Sequence, residues 1–158
     1  MTQPKEDRAA VRFPPPLVFV LAVFAGFLLN RWALPLPLTL PEGIRELVGD
    51  GAVLLGITLM IAATLLFRRT GQHPAPWKTT PEIVATGPFR LTRNPMYLGM
   101  AMIHLGTGLR LANGWILGLL PLAVFGVYWT AIRHEEAYLE RKFGDSYLAY
   151  KDSVRRWL

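Results

Sequence analysis

The chain has 158 residues, 52% of them hydrophobic and only 18% charged, whereas soluble domains carry about 25% charged residues. It is too apolar for an ordinary soluble domain, and its length allows one domain of usual size. The formal net charge is +6, but the charges sit in blocks between apolar runs, which points to a membrane and not to nucleic acid. There is no cysteine, so disulfides, thiolate metal sites, a Cys nucleophile and iron–sulfur clusters are excluded. The three histidines, His73, His104 and His134, lie far apart and argue against a His-based metal centre.

Four stretches lack charge for long enough to matter: 13–30, 51–67, 94–109 and 111–132. A helix crosses a bilayer with about 17–25 apolar residues. The expected fold is therefore all-α: a polytopic helical membrane protein with about four transmembrane helices, the last two forming a tight hairpin. The spans are expected near 13–34, 50–67, 95–111 and 113–132, in a single membrane domain covering 1–158. The third is short and carries His104, so it is expected to be tilted or shielded by its neighbours. The first is not read as a signal peptide, because acids accompany the bases before it and no small-residue cleavage site follows.

Pro35, Pro37 and Pro41 forbid a continuing helix and predict an extended outer loop. Asn113-Gly114 is a turn signal between the third and fourth spans. Pro121 predicts a kink in the fourth, of a kind that neighbouring helices tolerate. Beyond it, Leu139, Phe143, Tyr147, Tyr150, Val154 and Trp157 recur every three or four residues, predicting a helical tail over 133–158. Gly144 suits a helix C-cap, with Asp145 or Ser146 capping a second helix.

The charges set an orientation. Lys5, Arg8 and Arg12 precede the first span, the segment 68–94 carries five bases, and the tail carries six. Fourteen of the seventeen basic residues thus fall on one side. The positive-inside rule places both termini and the 68–94 loop in the cytoplasm, as in the inner (plasma) membrane of a bacterium.

Two segments can carry chemistry. Asn94-Pro95 pairs a strong N-cap residue with a residue suited to the first helical position. The third span should start there, its free backbone N–H groups and positive dipole end facing the loop, with Arg90 and Arg93 nearby. That is a seat for a carboxylate or phosphate. The bland alternative is that these arginines only anchor the helix at the interface. The second segment, 133–140, follows the fourth span and carries Glu135 and Glu136. Acids are unexpected at the negative inner leaflet, and these are placed at a helix start where the dipole favours them. They are either a solvated pair or a seat for a cationic or hydroxyl-rich ligand. Both segments emerge on the same side. Gly106-Thr107-Gly108 is half of a dinucleotide fingerprint without its strand, and is better read as helix packing. Gly51, Gly56 and Ala63 offer a generic small-residue stripe. His104 is read as a neutral histidine at the hairpin interface.

At these residues the chain resembles the isoprenylcysteine carboxyl methyltransferase family, which shares a superfamily with the phospholipid N-methyltransferases. The carrying motifs are Gly87-Pro88-Phe89, Arg93-Asn94-Pro95-Met96-Tyr97-Leu98-Gly99, Glu135-Glu136 and Phe143-Gly144, followed by Tyr147, Tyr150 and Val154. They cover about 80–157, half the chain. The resemblance implies methyl transfer from S-adenosylmethionine, bound in a cytoplasmic pocket, to a lipophilic or lipid acceptor drawn from the membrane. By position it implies cofactor contacts from Ile83, Val84, Phe89, Arg93, Asn94, Pro95, Met96, Tyr97 and Glu135. The cofactor's carboxylate suits the helix start at Asn94. Its amino group, sulfonium or ribose suits Glu135. Phe89 and Tyr97 suit its adenine or sulfonium through cation–π attraction. For catalysis, Arg133, His134 and Glu136 are the nearest basic and proton-accepting groups.

There are departures. Asn94 stands where the carboxyl methyltransferases usually carry His. The substrate-side Arg of the prenylcysteine enzymes is Ala131 here, which favours a neutral, thiol-bearing or amine-bearing acceptor. The glycine-rich cofactor motif of the phospholipid enzymes is not evident in the second span. Two alternatives are a non-catalytic membrane scaffold or small transporter, for which the polar residues in the spans are few, and an NADPH enzyme of sterol-reductase type, for which the chain is short.

Overall fold

The structure is a computed structural model and describes residues 9–11, 13–71, 73, 75 and 78–158. Lys5, Arg8 and Arg12 of the basic tail lie outside the described residues. Helix α1 spans Pro15–Leu28 and widens into a π turn at Leu29–Ala33. The prolines that follow stop it as expected. The Asn30 side chain then accepts from the Leu36 amide at 2.8 Å, which folds the outer loop back.

Helix α2 spans Glu42–Arg69, beginning eight residues before the span expected at 50. Nothing after Pro41 breaks the helix, and Glu42 sits in the first turn, where the dipole favours an acid. Helix α3 spans Pro95–Arg110 and helix α4 Gly114–Val127, with Pro121 inside it. The hairpin between them forms as expected. Asn113 caps α4 by accepting from the amides of Trp115 at 3.0 Å and Ile116 at 3.1 Å. The Gly114 amide donates to the Leu36 carbonyl at 2.8 Å, tying the outer loop to the hairpin.

The end of α4 departs from expectation. A π turn at Tyr128–Ile132 leads without a break into α5, Arg133–Phe143. Ile132 and Arg133 keep right-handed helical geometry, so no free helix N-terminus exists at Glu135 and Glu136. Contrary to expectation, those acids do not sit at a free helix start: their amides are already spent on the preceding turn. Gly144, at φ +53°, ends α5 and also caps α6, Asp145–Ser153; neither Asp145 nor Ser146 provides a side-chain cap.

Among the described residues, three helices are long and apolar enough to cross a membrane: Pro15–Ala33, Glu42–Arg69 and Gly114–Phe143. The last is about 45 Å long, against a hydrocarbon core of about 30 Å, so its charged end, α5, extends beyond the membrane-spanning part. Helix α3, with 16 residues, reaches only about 24 Å. It is shielded by its neighbours, as its length demands. The α2–α3 seam is built on glycine. A Cβ on Gly106 would lie 2.4 Å from the Gly49 carbonyl oxygen, and one on Gly56 would lie 2.6 Å from that of Gly99. The two backbones therefore touch, which is how helices gain van der Waals contact in lipid. Gly56 serves packing inside the chain, whereas Gly51 faces open space.

Each end of the bundle is marked by its own contacts. At one end Arg110 pairs with Glu46 and, at 3.2 Å, with Asp50. At the other end Phe67 stacks on Phe89, ring centroids 4.9 Å apart. His104 is buried between α3 and α4, its Nε2 2.8 Å from the Ile116 carbonyl. A carbonyl only accepts, so Nε2 carries the proton and the ring is tied into the hairpin.

Candidate functional site

The start of α3 is the centre of the site. Pro95 occupies the first helical position and Asn94 the N-cap, as the sequence predicts, but no side chain caps the helix. Asn94 instead turns its amide away, and Nδ2 donates to the Arg156 carbonyl at 3.0 Å. The Thr92 hydroxyl donates to the same carbonyl at 2.9 Å, and the Arg93 amide donates to the Arg155 carbonyl at 2.9 Å. The chain end is thus strapped along the segment before α3. Among the described residues, no side chain caps the first-turn amides of α3, and a helix start of this kind suits an anion.

A cleft opens at this point, with a free volume of about 110 Å³. Its lining includes Ile83, Val84, Phe89, Arg93, Asn94, Pro95, Met96, Tyr97 and Glu135. The structure thus brings all nine residues expected on the cofactor side to one cavity. Gly87, at φ +55°, opens the short helical turn Gly87–Arg90 that aims Phe89 inward; a left-handed backbone there favours glycine.

The polar groups converge. The Tyr97 hydroxyl donates a hydrogen bond to Glu135 Oε1. Burial pushes the Glu135 carboxyl up to about 7, against the opposing pull of the Tyr97 hydrogen bond. Arg93 lies across the cleft with its side chain 8% exposed. Its Nε and Nη1 are buried and find no hydrogen-bond partner among the described residues. Leaving such donors unmatched is costly, and Arg93 is one of the residues that line the cleft.

The three residues expected nearest the chemistry are not brought into this lining. Arg133 is exposed and lies over the Trp129 ring, 4.3 Å from its centroid. His134 is half-buried on α5 outside the lining. Glu136 is buried, and its carboxylate is held by Arg156 through two bonds of 2.9 and 2.8 Å. On a helix, adjacent positions point about 100° apart, so with Glu135 facing the cleft Glu136 must face elsewhere.

Sequence reasoning missed several lining residues: Thr80, Tyr138, Tyr147 and Tyr150 among them. Tyr150 donates to the Phe89 carbonyl at 2.7 Å, and the Tyr138 hydroxyl accepts from the Thr80 amide at 3.2 Å. The tail periodicity marked Tyr147 and Tyr150 as an apolar face, and that face covers the cleft. A second, almost wholly apolar groove lies between α1 and α2 over α3, lined by Phe19, Phe24, Met60, Met100 and Ile103 among others. Met100 sits one turn along α3 from the cleft residues Met96 and Tyr97.

Comparison with known proteins places this geometry. The family model for phospholipid methyltransferases matches residues 44–146, about two thirds of the chain. The chain belongs to the phospholipid methyltransferase family. Membership makes it a helical membrane protein of a methyltransferase family. A protein of Haemophilus influenzae with no assigned role is 43% identical over 65 residues, covering 40% of this chain and 100% of that one. The protein-S-isoprenylcysteine O-methyltransferase of Schizosaccharomyces pombe is 36% identical over 72 residues, and protein-S-isoprenylcysteine O-methyltransferase A of Arabidopsis thaliana is 33% identical over 72. These cover 46% of this chain but only 30% and 36% of the two enzymes, so the chain spans about a third of the length of each. No solved structure matches the chain. The resemblance read from the motifs is therefore supported by relatives of the same kind.

Proposed function

We propose that this protein is an S-adenosylmethionine-dependent methyltransferase acting on a lipophilic acceptor that partitions into the membrane. The observation that carries the reading is the pairing, in one cleft, of unmatched buried Arg93 donors with the Glu135 carboxyl. S-adenosylmethionine presents a carboxylate, an ammonium, a sulfonium and an aromatic base, and the cleft offers counterparts for the carboxylate, for one of the cationic groups and for the base. Arg93 and the open start of α3 would hold the carboxylate. Glu135, steadied by Tyr97, would hold a cationic group. Phe89, Val84 and Met96 provide apolar walls for the base. When bound, the cofactor supplies a methyl group activated by its positive sulfur.

The chain's own residues then position and shield. Tyr138, Tyr147 and Tyr150 close the cleft from the tail side and exclude water, which strengthens every charge interaction inside. The groove between α1 and α2 opens toward lipid one turn from the cleft, which supports an acceptor with a long apolar body. Ala131, in place of a base, leaves that side uncharged and favours a neutral, thiol-bearing or amine-bearing acceptor. The basic end of the bundle, with both termini and the 68–94 loop, faces the cytoplasm, as in a bacterial inner membrane.

Titration calorimetry on purified protein tests the reading. S-adenosylmethionine and S-adenosylhomocysteine should bind at about one per chain. Absence of binding by both would overturn it. Lipid extracts made with and without the protein should then differ by one added methyl group in a single acceptor class.

A further inference from the structure

The buried guanidinium of Arg93 meets a nearby carboxylate only at long range. Glu136 Oε1 is 3.5 Å from Arg93 Nη2, an ion pair too long for a good hydrogen bond. The same carboxylate is taken at both oxygens by Arg156: Nε donates to Oε1 at 2.9 Å and Nη2 to Oε2 at 2.8 Å. This is the two-pronged arginine–carboxylate geometry that is strongest and most directional. Arg156 is itself held in place. Its carbonyl accepts from Thr92 and Asn94, and its guanidinium lies over the Tyr128 ring, 5.1 Å from the centroid. Glu136 is 8% exposed, so little water competes for it.

Two arginines thus share one buried carboxylate, and only one of them can have it in full. We infer that Arg156 is a positioning residue: by saturating Glu136 it keeps Arg93 free to bind an anionic group in the cleft. Arg93 alone would be captured by Glu136, since a buried carboxylate left without its partner takes the nearest cation. Arg156 touches neither cavity, so its influence runs through Glu136. The inference rests on the cofactor reading above for the identity of the anion, but the internal competition does not depend on it.

The test uses full-length protein in lipid nanodiscs with S-adenosylhomocysteine as probe. Arg156→Gln should weaken binding about tenfold or more, the scale of one lost charge-assisted contact. The double variant Arg156→Gln with Glu136→Gln should recover to within about threefold of the parent, because the competitor is gone. Arg93→Gln should be weak whether or not Glu136 is replaced. Arg156→Lys, which keeps the charge but not the fork, should fall between. A ligand-free readout separates this inference from the cofactor reading. The Nε–H resonance of Arg93 in 15N-arginine spectra, identified by its loss in Arg93→Lys, should shift in Arg156→Gln and return in the double variant. Parental affinity in Arg156→Gln, or a double variant as weak as the single, overturns the inference. If the parent itself binds no probe, the cofactor reading falls, and the resonance alone decides: an unmoved Arg93 signal overturns the inference, and a shifted and restored one upholds it.

Discussion

At the scale of single residues, Glu135 and Glu136 show how neighbours in sequence acquire different work. Both are carboxylates on one helix, but the helical turn sends one into the cleft and the other behind it, into the grip of Arg156. The sequence marks the pair and cannot mark the division, because that depends on which face α6 and the chain end cover. The consequence is measurable. The groups that meet Glu135 are the Tyr97 hydroxyl from α3 and the neighbouring Glu136 charge. With its carboxyl pushed up to about 7 by burial, Glu135 is half protonated near neutrality. A cationic group beside it requires the charged form, so affinity for S-adenosylmethionine should rise from about pH 6 to about pH 8 and fall as pH drops through about 7. Glu135→Gln should bind about tenfold more weakly or worse and lose that pH dependence; calorimetry at several pH values reads both. The empty protein carries the opposite linkage. Its carboxyl holds the proton more tightly than the unfolded chain does, so this contribution to stability is complete below about pH 4.5 and is lost as pH rises through about 7.

At the scale of elements, the glycines decide how α3 is held. The sequence showed Gly56, Gly99 and Gly106 as small residues in apolar runs. It could not tell contact within the chain from contact between copies, since both use the same stripe. The structure pairs Gly56 with Gly99 and Gly49 with Gly106 at backbone contact. Gly106→Leu should therefore force α2 and α3 apart and cost about 1–3 kcal/mol or more, read as a lowered melting temperature and a loss of monodisperse protein in detergent. Gly51→Leu, with open space beside it, should leave the melting temperature within about a degree or two of the parent. The hairpin was legible from Asn113-Gly114 because a cap and a turn are local chemistry. The unbroken passage from α4 into α5 was not. Nothing local ends a helix at Ile132, and the π turn there is an adjustment that only packing reveals.

For the whole molecule, the outer contacts (Glu46, Asp50 and Arg110) gather at one end, and the cleft, the loop ahead of α3 and the chain end gather at the other. Among the described residues, eleven of the fourteen basic residues belong to the segments of the cleft end. If that end faces the cytoplasm, a cysteine introduced at Lys151 or Arg90 should resist an impermeant thiol reagent added to intact cells, while one introduced at Arg45 should react. The natural absence of cysteine makes the labelling unambiguous, and a reversed pattern would refute the orientation.

Apolar run lengths, charge blocks, caps and prolines suffice to determine that this is a helical membrane protein with a closing hairpin, because these signals act within a few residues of themselves. The family motifs likewise mark the residues that line the cleft, because those residues cluster in two short segments. Only the tertiary structure decides what those segments enclose. Which carboxylate meets the cavity, which arginine keeps unmatched donors and why a base near the chain end matters are all set by contacts between residues up to 64 positions apart, and no local pattern encodes them.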